Sequence, residues 1–88
     1  MLLKNKSAIV TGASDGLGRE VALQLGKQGV NLALIARDKE KLEKVKKQIK
    51  GVKVEVYPCD VKELSEVKLT VKKIISDFKN VDMLLNIA

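Results

Sequence analysis

Aromatic residues are scarce in this 88-residue chain, which contains one Tyr, one Phe and no Trp. Proteins that bind single-stranded nucleic acids stack the bases on aromatic side chains, and Tyr57 and Phe78 alone cannot provide such a platform. The net charge of +6 would suit an anionic partner. However, six lysines lie between Lys39 and Lys50, where they alternate with glutamates around an apolar stripe typical of an amphipathic helix with a solvated face. We therefore predict no nucleic-acid partner.

Histidine is absent and Cys59 is the only cysteine. A single cysteine excludes an internal disulfide and suits a reducing, cytoplasmic location. Without a histidine to activate it, Cys59 is expected to be a small apolar residue at a strand end rather than a nucleophile. No metal site is predicted. No run approaches about 18 apolar residues, and the apolar run after Met1 is too short for a signal peptide, so we expect a soluble chain without a membrane partner.

Short apolar runs alternate with helical patterns along the chain, which indicates one domain over residues 1–88. The predicted strands are SAIVTG, VNLALIA, VKVEVYP and VDMLLNIA. The predicted helices are GLGREVALQLGKQG, a lysine-rich segment that Asp38 caps and Gly51 ends, and a segment from about Val61 to Lys79. Strands that alternate with helices form parallel sheets covered by helices. We predict an α/β fold with a Rossmann-like parallel sheet, strand order 3-2-1-4, and helices on both faces.

Apolar residues recur about one turn apart in the first and third predicted helices. In the first helix these residues are Leu17, Val21 and Leu25. In the third helix they are Leu64, Val67, Val71, Ile74 and Phe78. This periodicity predicts one apolar side on each helix.

The segment TGASDGLG, residues 11–18, places three glycines where the first strand passes into the first helix. Such a turn lies at the carboxyl end of a parallel sheet, and the helix start offers unpaired N–H groups to phosphate. We assign Gly12 to a tight exit from the strand, Gly16 to close approach of a pyrophosphate, and Gly18 to close packing of the helix. No Lys followed by Ser or Thr comes after Gly16, so the segment is not a Walker loop. The alternative is a glycine-rich turn that binds nothing.

The end of the second predicted strand is where the adenosine ribose of a dinucleotide would lie. An acidic residue there would bind the free 2′-hydroxyl of NAD, but this chain has Ala36 followed by Arg37. An alanine removes the carboxylate that would repel a 2′-phosphate, and a guanidinium can bind one through two hydrogen bonds. These two residues favour NADP over NAD, unless Arg37 is simply a polar residue at a strand end.

Three motifs in order resemble those of the short-chain dehydrogenase/reductase family. TGASDGLG is similar to its T-G-x3-G-x-G cofactor motif, CDV resembles the Asp-Val after its third strand, and LLNIA resembles the start of its N-N-A-G motif. The resemblance covers the whole chain. It implies that the chain is the N-terminal, NADP(H)-binding half of an oxidoreductase that transfers hydride between NADP(H) and an alcohol or carbonyl substrate.

The resemblance also implies roles for individual residues. Thr11 would brace the turn, and backbone at Ser14, Leu17 and the glycines would hold the cofactor phosphates. Asp60 would accept a hydrogen bond from the adenine amino group, the Val61 amide would meet the adenine ring, and Asn86 and Ala88 would lie beside the ribose. The alternative for Asp60 is a helix cap. The predicted cofactor-binding residues are Thr11, Gly12, Ser14, Asp15, Gly16, Leu17, Gly18, Arg37, Asp60, Val61, Asn86 and Ala88.

Two positions depart from the family pattern. Asp15 stands where many NADP-using relatives have a basic residue, and Ile87 replaces the second Asn of N-N-A-G. The family's catalytic Ser and Tyr-x3-Lys set is not found in the chain, because Val61 occupies the fourth position after Tyr57. We therefore predict no catalytic residue and no turnover by this chain. The alternative function is a stand-alone or engineered nucleotide-binding or assembly module without catalysis.

The fourth predicted strand, DMLLNIA, is expected to form a sheet edge with unpaired backbone groups beside apolar side chains. Such an edge predicts self-association of the chain. The predicted partners are thus a dinucleotide cofactor and a second copy, and a small carbonyl or alcohol substrate only in a full-length relative.

Overall fold

Strands and helices alternate along residues 3–87, the part of the chain that the computed structural model describes. The sheet is parallel, with strand order β3-β2-β1-β4. The predicted α/β architecture and strand order are therefore confirmed. The strands are β1 (Ser7–Thr11), β2 (Asn31–Ala36), β3 (Val54–Pro58) and β4 (Met83–Leu85), and the helices are α1 (Gly16–Lys27), α2 (Lys39–Gln48) and α3 (Leu64–Phe78).

The two central strands are apolar on both faces because helices cover both faces of the sheet. Along β1 and β2, alternate residues belong to two separate apolar clusters. The cluster under α1 and α2 includes Ala8, Val10, Ala22, Leu32, Leu34, Leu42 and Val45. The cluster under α3 is smaller and includes Ile9, Ala33, Ile35, Tyr57, Cys59 and Ile74. Helices on both faces are thus confirmed, and Cys59 is a buried residue just after β3, as expected.

Small residues are the fully buried positions on the side of α1 that meets the sheet, while Leu23 and Leu25 are partly buried against the same cluster. Gly18, Ala22 and Gly26 are its buried residues, while Leu17 is 68% exposed. A Cβ atom on Gly26 would lie 2.6 Å from the Ile49 side chain, which shows how closely α1 approaches the residues after α2. The close packing of α1 thus depends on three positions without bulky side chains.

The third helix begins later than the sequence predicts. Residues 60–63 form a turn in which Glu63 N–H donates to the Asp60 carbonyl (3.0 Å), and α3 starts at Leu64. Only Ile74 is fully buried among the residues of α3, while Leu64 is 67% exposed. The apolar periodicity therefore overestimates how much of this helix the sheet covers. Among residues 3–87, no helix combines the length and apolar character needed to cross a membrane.

A carboxylate fixes the register of β4 against β1. The Ser7 N–H donates to Asp82 Oδ2 (2.9 Å), and the Asp82 N–H donates to the Ser7 carbonyl (2.8 Å). This reciprocal pair places Val10 opposite Leu85 and brings the ends of β1 and β4 to the same edge of the sheet.

Tyr57 joins β3 to the end of α3. Its hydroxyl donates a hydrogen bond to Asp77 Oδ2 (2.7 Å), and its ring is buried. Burial, the hydrogen bond to Asp77, and the charges of Asp77 and Glu55 all raise the pKa of Tyr57 above its ordinary value. Tyr57 is therefore a buried residue that links two elements, and its hydroxyl keeps its proton well into the alkaline range.

The raised pKa of Tyr57 predicts a loss of stability at alkaline pH. Above pH 10.0, the ordinary pKa of tyrosine, the unfolded chain releases the phenolic proton and the folded chain keeps it. The contribution of Tyr57 to the free energy of unfolding is fully present below this pH. It falls as the pH rises, by up to about 1.4 kcal/mol per pH unit. We expect the free energy of unfolding of Tyr57→Phe to fall less steeply than that of the parent chain in urea titrations between about pH 9.5 and 11.5. Equal slopes for the two chains would contradict this.

Candidate functional site

The candidate site lies at the carboxyl edge of the sheet, where β1 passes into α1. The neighbours of β1 are β2 and β4, and the helices that lead to them lie on opposite faces. The chain therefore diverges at this point, which is where open parallel sheets bind ligands.

Gly12 lies between two parts of the backbone. Its φ of +62° is in the left-handed region that favours glycine, and a Cβ atom on it would collide with the Ile87 carbonyl oxygen. A Cβ atom on Gly18 would in turn collide with the carbonyl oxygen of Gly12. The first turn of α1 therefore packs on the backbone that leaves β1, and this backbone packs on the residues after β4. Neither contact leaves room for a side chain.

Gly16 is constrained by its conformation and not by its neighbours. Its φ is +57°, and a Cβ atom built on it would meet nothing within 4 Å. The backbone at the start of α1 is therefore open to solvent above Gly16. A group of phosphate size could approach this backbone directly.

The N-terminus of α1 has no side-chain cap. Asp15 is the N-cap residue, but its carboxylate does not bind the helix backbone, and the first turn contains no acidic residue. The first helical hydrogen bond is donated by Arg19 N–H to the Asp15 carbonyl (3.2 Å), so the preceding N–H groups have no partner within the helix. Together with the helix dipole, they form a region that attracts anions.

The start of α2 is the opposite case. The Asp38 side chain accepts a hydrogen bond from Lys41 N–H (3.1 Å), which confirms the predicted cap. The capping carboxylate satisfies a backbone donor and places a negative charge at the helix start. Of these two neighbouring helix starts, only that of α1 is available to an anion.

Thr11 and the residues after β4 form a small hydrogen-bonded network beside Gly12. The Thr11 hydroxyl donates to Asn86 Oδ1 (2.9 Å) and accepts from Ile87 N–H (2.9 Å). Thr11 therefore braces the end of β4, in addition to ending β1. The structure thus brings Thr11, Gly12, Gly18 and Asn86 together, as the shared edge predicts. Ser14 is half-buried in the turn between them, and Ala88 lies outside the described residues.

Ala36 and Arg37 mark the end of β2 at the same edge. Ala36 is half-buried, and its carbonyl accepts a hydrogen bond from Cys59 N–H (2.9 Å). Arg37 is exposed and forms no ion pair within residues 3–87. Its guanidinium is available to a ligand at this edge.

The predicted adenine-binding residues lie in the turn after β3. Asp60 Oδ1 accepts a hydrogen bond from Lys62 N–H (3.0 Å), whereas the N-cap of α3 is Glu63. Asp60 thus stabilises a turn and is not the cap of α3. Val61 is exposed and lines an apolar groove of about 520 Å³ that also contains Thr11, Leu84 and Asn86. The groove leads from this turn to the Thr11 network.

Lys41 is the residue of this region that sequence reasoning missed. Its Nζ lies 3.3 Å from Asp15 Oδ2, so that a lysine of α2 reaches the N-cap of α1. The two residues are 26 positions apart, and neither propensity nor periodicity links them. Only the packing of α1 beside α2 brings them together.

The chain belongs to the short chain dehydrogenase family, whose sequence model matches residues 6–88. Among curated relatives, 3-oxoacyl-(acyl-carrier-protein) reductase FabG of Staphylococcus epidermidis is 46% identical over 85 residues, which are 93% of this chain and 35% of that protein. Retinol dehydrogenase 13 of Mus musculus is 37% identical over 88 residues, which are 96% of this chain and 26% of that protein. The chain therefore spans about a third or less of the length of these relatives.

Solved structures show the same architecture. An NAD+-bound xylitol dehydrogenase superposes with a TM-score of 0.92 and 35% identity, over 96% of this chain and 33% of that one. A metagenomic short-chain oxidoreductase in complex with NADP superposes with a TM-score of 0.88 and 32% identity, over 93% of this chain and 38% of that one. Structures of both cofactor types thus share this fold.

The different constraints on Gly18 and Gly16 predict different costs of substitution. Gly18→Ala forces a methyl group into the Gly12 carbonyl and should destabilise the chain by about 3 kcal/mol, the upper end of overpacking costs. Gly16→Ala adds only left-handed backbone strain and should cost about 1 kcal/mol. Urea unfolding followed by far-ultraviolet circular dichroism measures both, since the chain has no Trp to report on folding. A Gly16→Ala variant that is less stable than Gly18→Ala would contradict this description of the turn.

Proposed function

We propose that this chain binds NADP(H) and is the cofactor-binding portion of a short-chain dehydrogenase. The observation that carries the proposal is that the start of α1, at Gly16, is uncapped and open at the carboxyl edge of the sheet. Gly12 and Gly18 leave no room for side chains in the turn, and no atom lies within 4 Å of a Cβ built on Gly16. The backbone donors at the start of α1 are therefore exposed to a ligand. The residues present therefore fit a dinucleotide pyrophosphate.

The N–H groups at the start of α1 hold the pyrophosphate in this proposal. Gly16, Leu17 and Gly18 contribute backbone donors, and Ser14 lies in the turn that precedes them. A dianionic group gains from both the free donors and the positive end of the helix dipole. The exposed Leu17 side chain is a further apolar surface beside the bound cofactor.

Arg37 binds the adenosine 2′-phosphate in this proposal. It follows β2 directly, it is exposed, and Ala36 before it carries no charge. A guanidinium forms two parallel hydrogen bonds to phosphate, which an uncharged 2′-hydroxyl cannot match. Relatives with NAD+ and with NADP are both known, so the preference for NADP rests on these two residues of the chain.

The remaining contacts follow from the position of the turn after β3 and of the segment after β4. We assign Asp60 and Val61 to the adenine ring, and Asn86 and Ala88 to the ribose. Asn86 is held by Thr11 through its Oδ1 atom, which leaves its amide nitrogen free to donate. Asp60 is half-exposed, so its second carboxylate oxygen can accept from an adenine amino group.

The complete protein, by this proposal, transfers hydride between NADP(H) and an alcohol or carbonyl group. The nicotinamide ring supplies the hydride when the cofactor is bound. The residues described here bind and orient the adenosine and phosphate portions, and Tyr57 remains a buried structural residue. The second candidate function is a nucleotide-binding module without catalysis. It is retained because the 88-residue sequence does not contain the family's catalytic Ser and Tyr-x3-Lys set.

The 2′-phosphate contact predicts a selective loss of affinity in Arg37→Ala. Calorimetric titration should show that the parent chain binds NADP more tightly than NAD. Arg37→Ala should lose about 1 to 3 kcal/mol of NADP binding, the range for a hydrogen bond to a charged group, and little NAD binding. Lys44→Ala is the matched control, because it removes the same charge from an exposed position of α2. Equal affinity of the parent chain for the two cofactors would refute the preference.

We also propose that the chain self-associates through β4. Within residues 3–87, β4 pairs with β1 only, and Leu84 is 66% exposed. The Asp82 carboxylate is bound to Ser7 N–H, so it does not protect the outer edge of the strand. A second copy can provide the missing backbone partners. In a longer protein, the residues that follow would compete for this edge.

Substitution of Leu84 predicts a shift towards monomer. Sedimentation at tens of micromolar, roughly where exposed edges associate, should show dimers or larger species of the parent chain. Leu84→Lys should increase the monomer fraction, because it places a charge on the edge strand. Leu69→Lys is the matched control, since Leu69 is comparably exposed but lies on α3. The proposal fails if the parent chain is monomeric at millimolar concentration, or if both variants behave alike.

A further inference from the structure

We propose that Lys41 supports the selectivity for a 2′-phosphate by neutralising Asp15. This inference rests on the proposed NADP function and adds a residue to its specificity site. It concerns the pair formed by Asp15 Oδ2 and Lys41 Nζ, which are 3.3 Å apart.

The backbone of Lys41 is fixed in the first turn of α2. Its N–H donates to Asp38 Oδ1 (3.1 Å), and Asp38 directly follows Arg37 in the chain. The capped turn therefore ties the base of the Lys41 side chain to the residue that is proposed to bind the 2′-phosphate. The ammonium group extends from there to α1.

Asp15 directly precedes Gly16, the first of the proposed pyrophosphate contacts. It is the N-cap residue of α1, yet it makes no side-chain hydrogen bond to the helix. Its carboxylate instead points to Lys41. An unpaired carboxylate at this position would repel the phosphates bound by α1 and Arg37, because like charges at short range oppose each other's binding.

The pair contributes little to folding. The side chains of Lys41 and Asp15 are 54% and 68% exposed, and ion pairs at such positions add little to stability. Its electrostatic effect on a ligand is different, because the ammonium offsets the carboxylate charge at the start of α1. Lys41 thus converts an edge that would select against a second phosphate into one that accepts it.

The test is a double-mutant cycle on nucleotide selectivity. The probes are adenosine 2′,5′-bisphosphate and adenosine 5′-monophosphate, and the measured quantity is the ratio of their dissociation constants. Lys41→Met keeps the aliphatic stem and a good helix former, and we expect it to lower the preference for the bisphosphate about fivefold, a size typical of exposed charge pairs. Asp15→Asn should raise the preference, and the double variant should return it close to the parent value.

Lys44→Met is the control for charge, because it removes a lysine from α2 outside the pair. It should leave the preference within about twofold of the parent, because Asp15 pairs with Lys41 and not with Lys44. Circular dichroism of each variant checks that the fold is kept.

The outcomes separate this inference from the proposed function. A preference that depends on Arg37 but not on Lys41 overturns the inference and leaves the NADP proposal standing. An equal effect of Lys41→Met with and without Asp15 also overturns it, because Lys41 would then act independently of the carboxylate. A parent chain with no preference for the bisphosphate overturns both.

Discussion

The site depends on one close approach, that of Gly18 to the carbonyl of Gly12. Because no side chain separates them, the first turn of α1 packs against the backbone that leaves β1, and its free N–H groups lie at the carboxyl edge of the sheet. The Ile87 carbonyl lies on Gly12 from the other side. The same absence of side chains therefore brings the start of α1, the end of β1 and the residues after β4 together at the proposed phosphate-binding part of the site.

Charge then distinguishes two similar helix starts. Asp38 caps α2, whereas Asp15 leaves the start of α1 uncapped and pairs with Lys41. A carboxylate in a capping position normally stabilises its own helix. Here the carboxylate of Asp15 is bound elsewhere, and the unpaired donors of α1 remain available to an anion. This arrangement is consistent with a phosphate-binding role at the expense of some local stability.

The sequence was sufficient to predict the features of the fold that depend on local sequence patterns. The alternation of strands and helices and the cap at Asp38 were correct, because each depends on residues close in the chain. The strand order was also correct, because right-handed crossover connections allow few arrangements of alternating strands and helices. The burial of Leu17 and Leu64 was less well predicted, since periodicity identifies an apolar side but not how much of it a neighbouring element covers. The Asp15 and Lys41 pair could not be predicted, because it depends on how α1 and α2 pack in three dimensions.

The proposed cofactor binding depends on contacts between the cofactor phosphates and the open start of α1. Two-dimensional 1H–15N spectra of the chain, titrated with NADP+, test it residue by residue. We expect the largest shifts at the amides of Gly16, Leu17 and Gly18, with smaller shifts near Arg37. Saturating NADP+ that shifts only the lysine-rich side of α2, or no amide at all, would contradict this expectation.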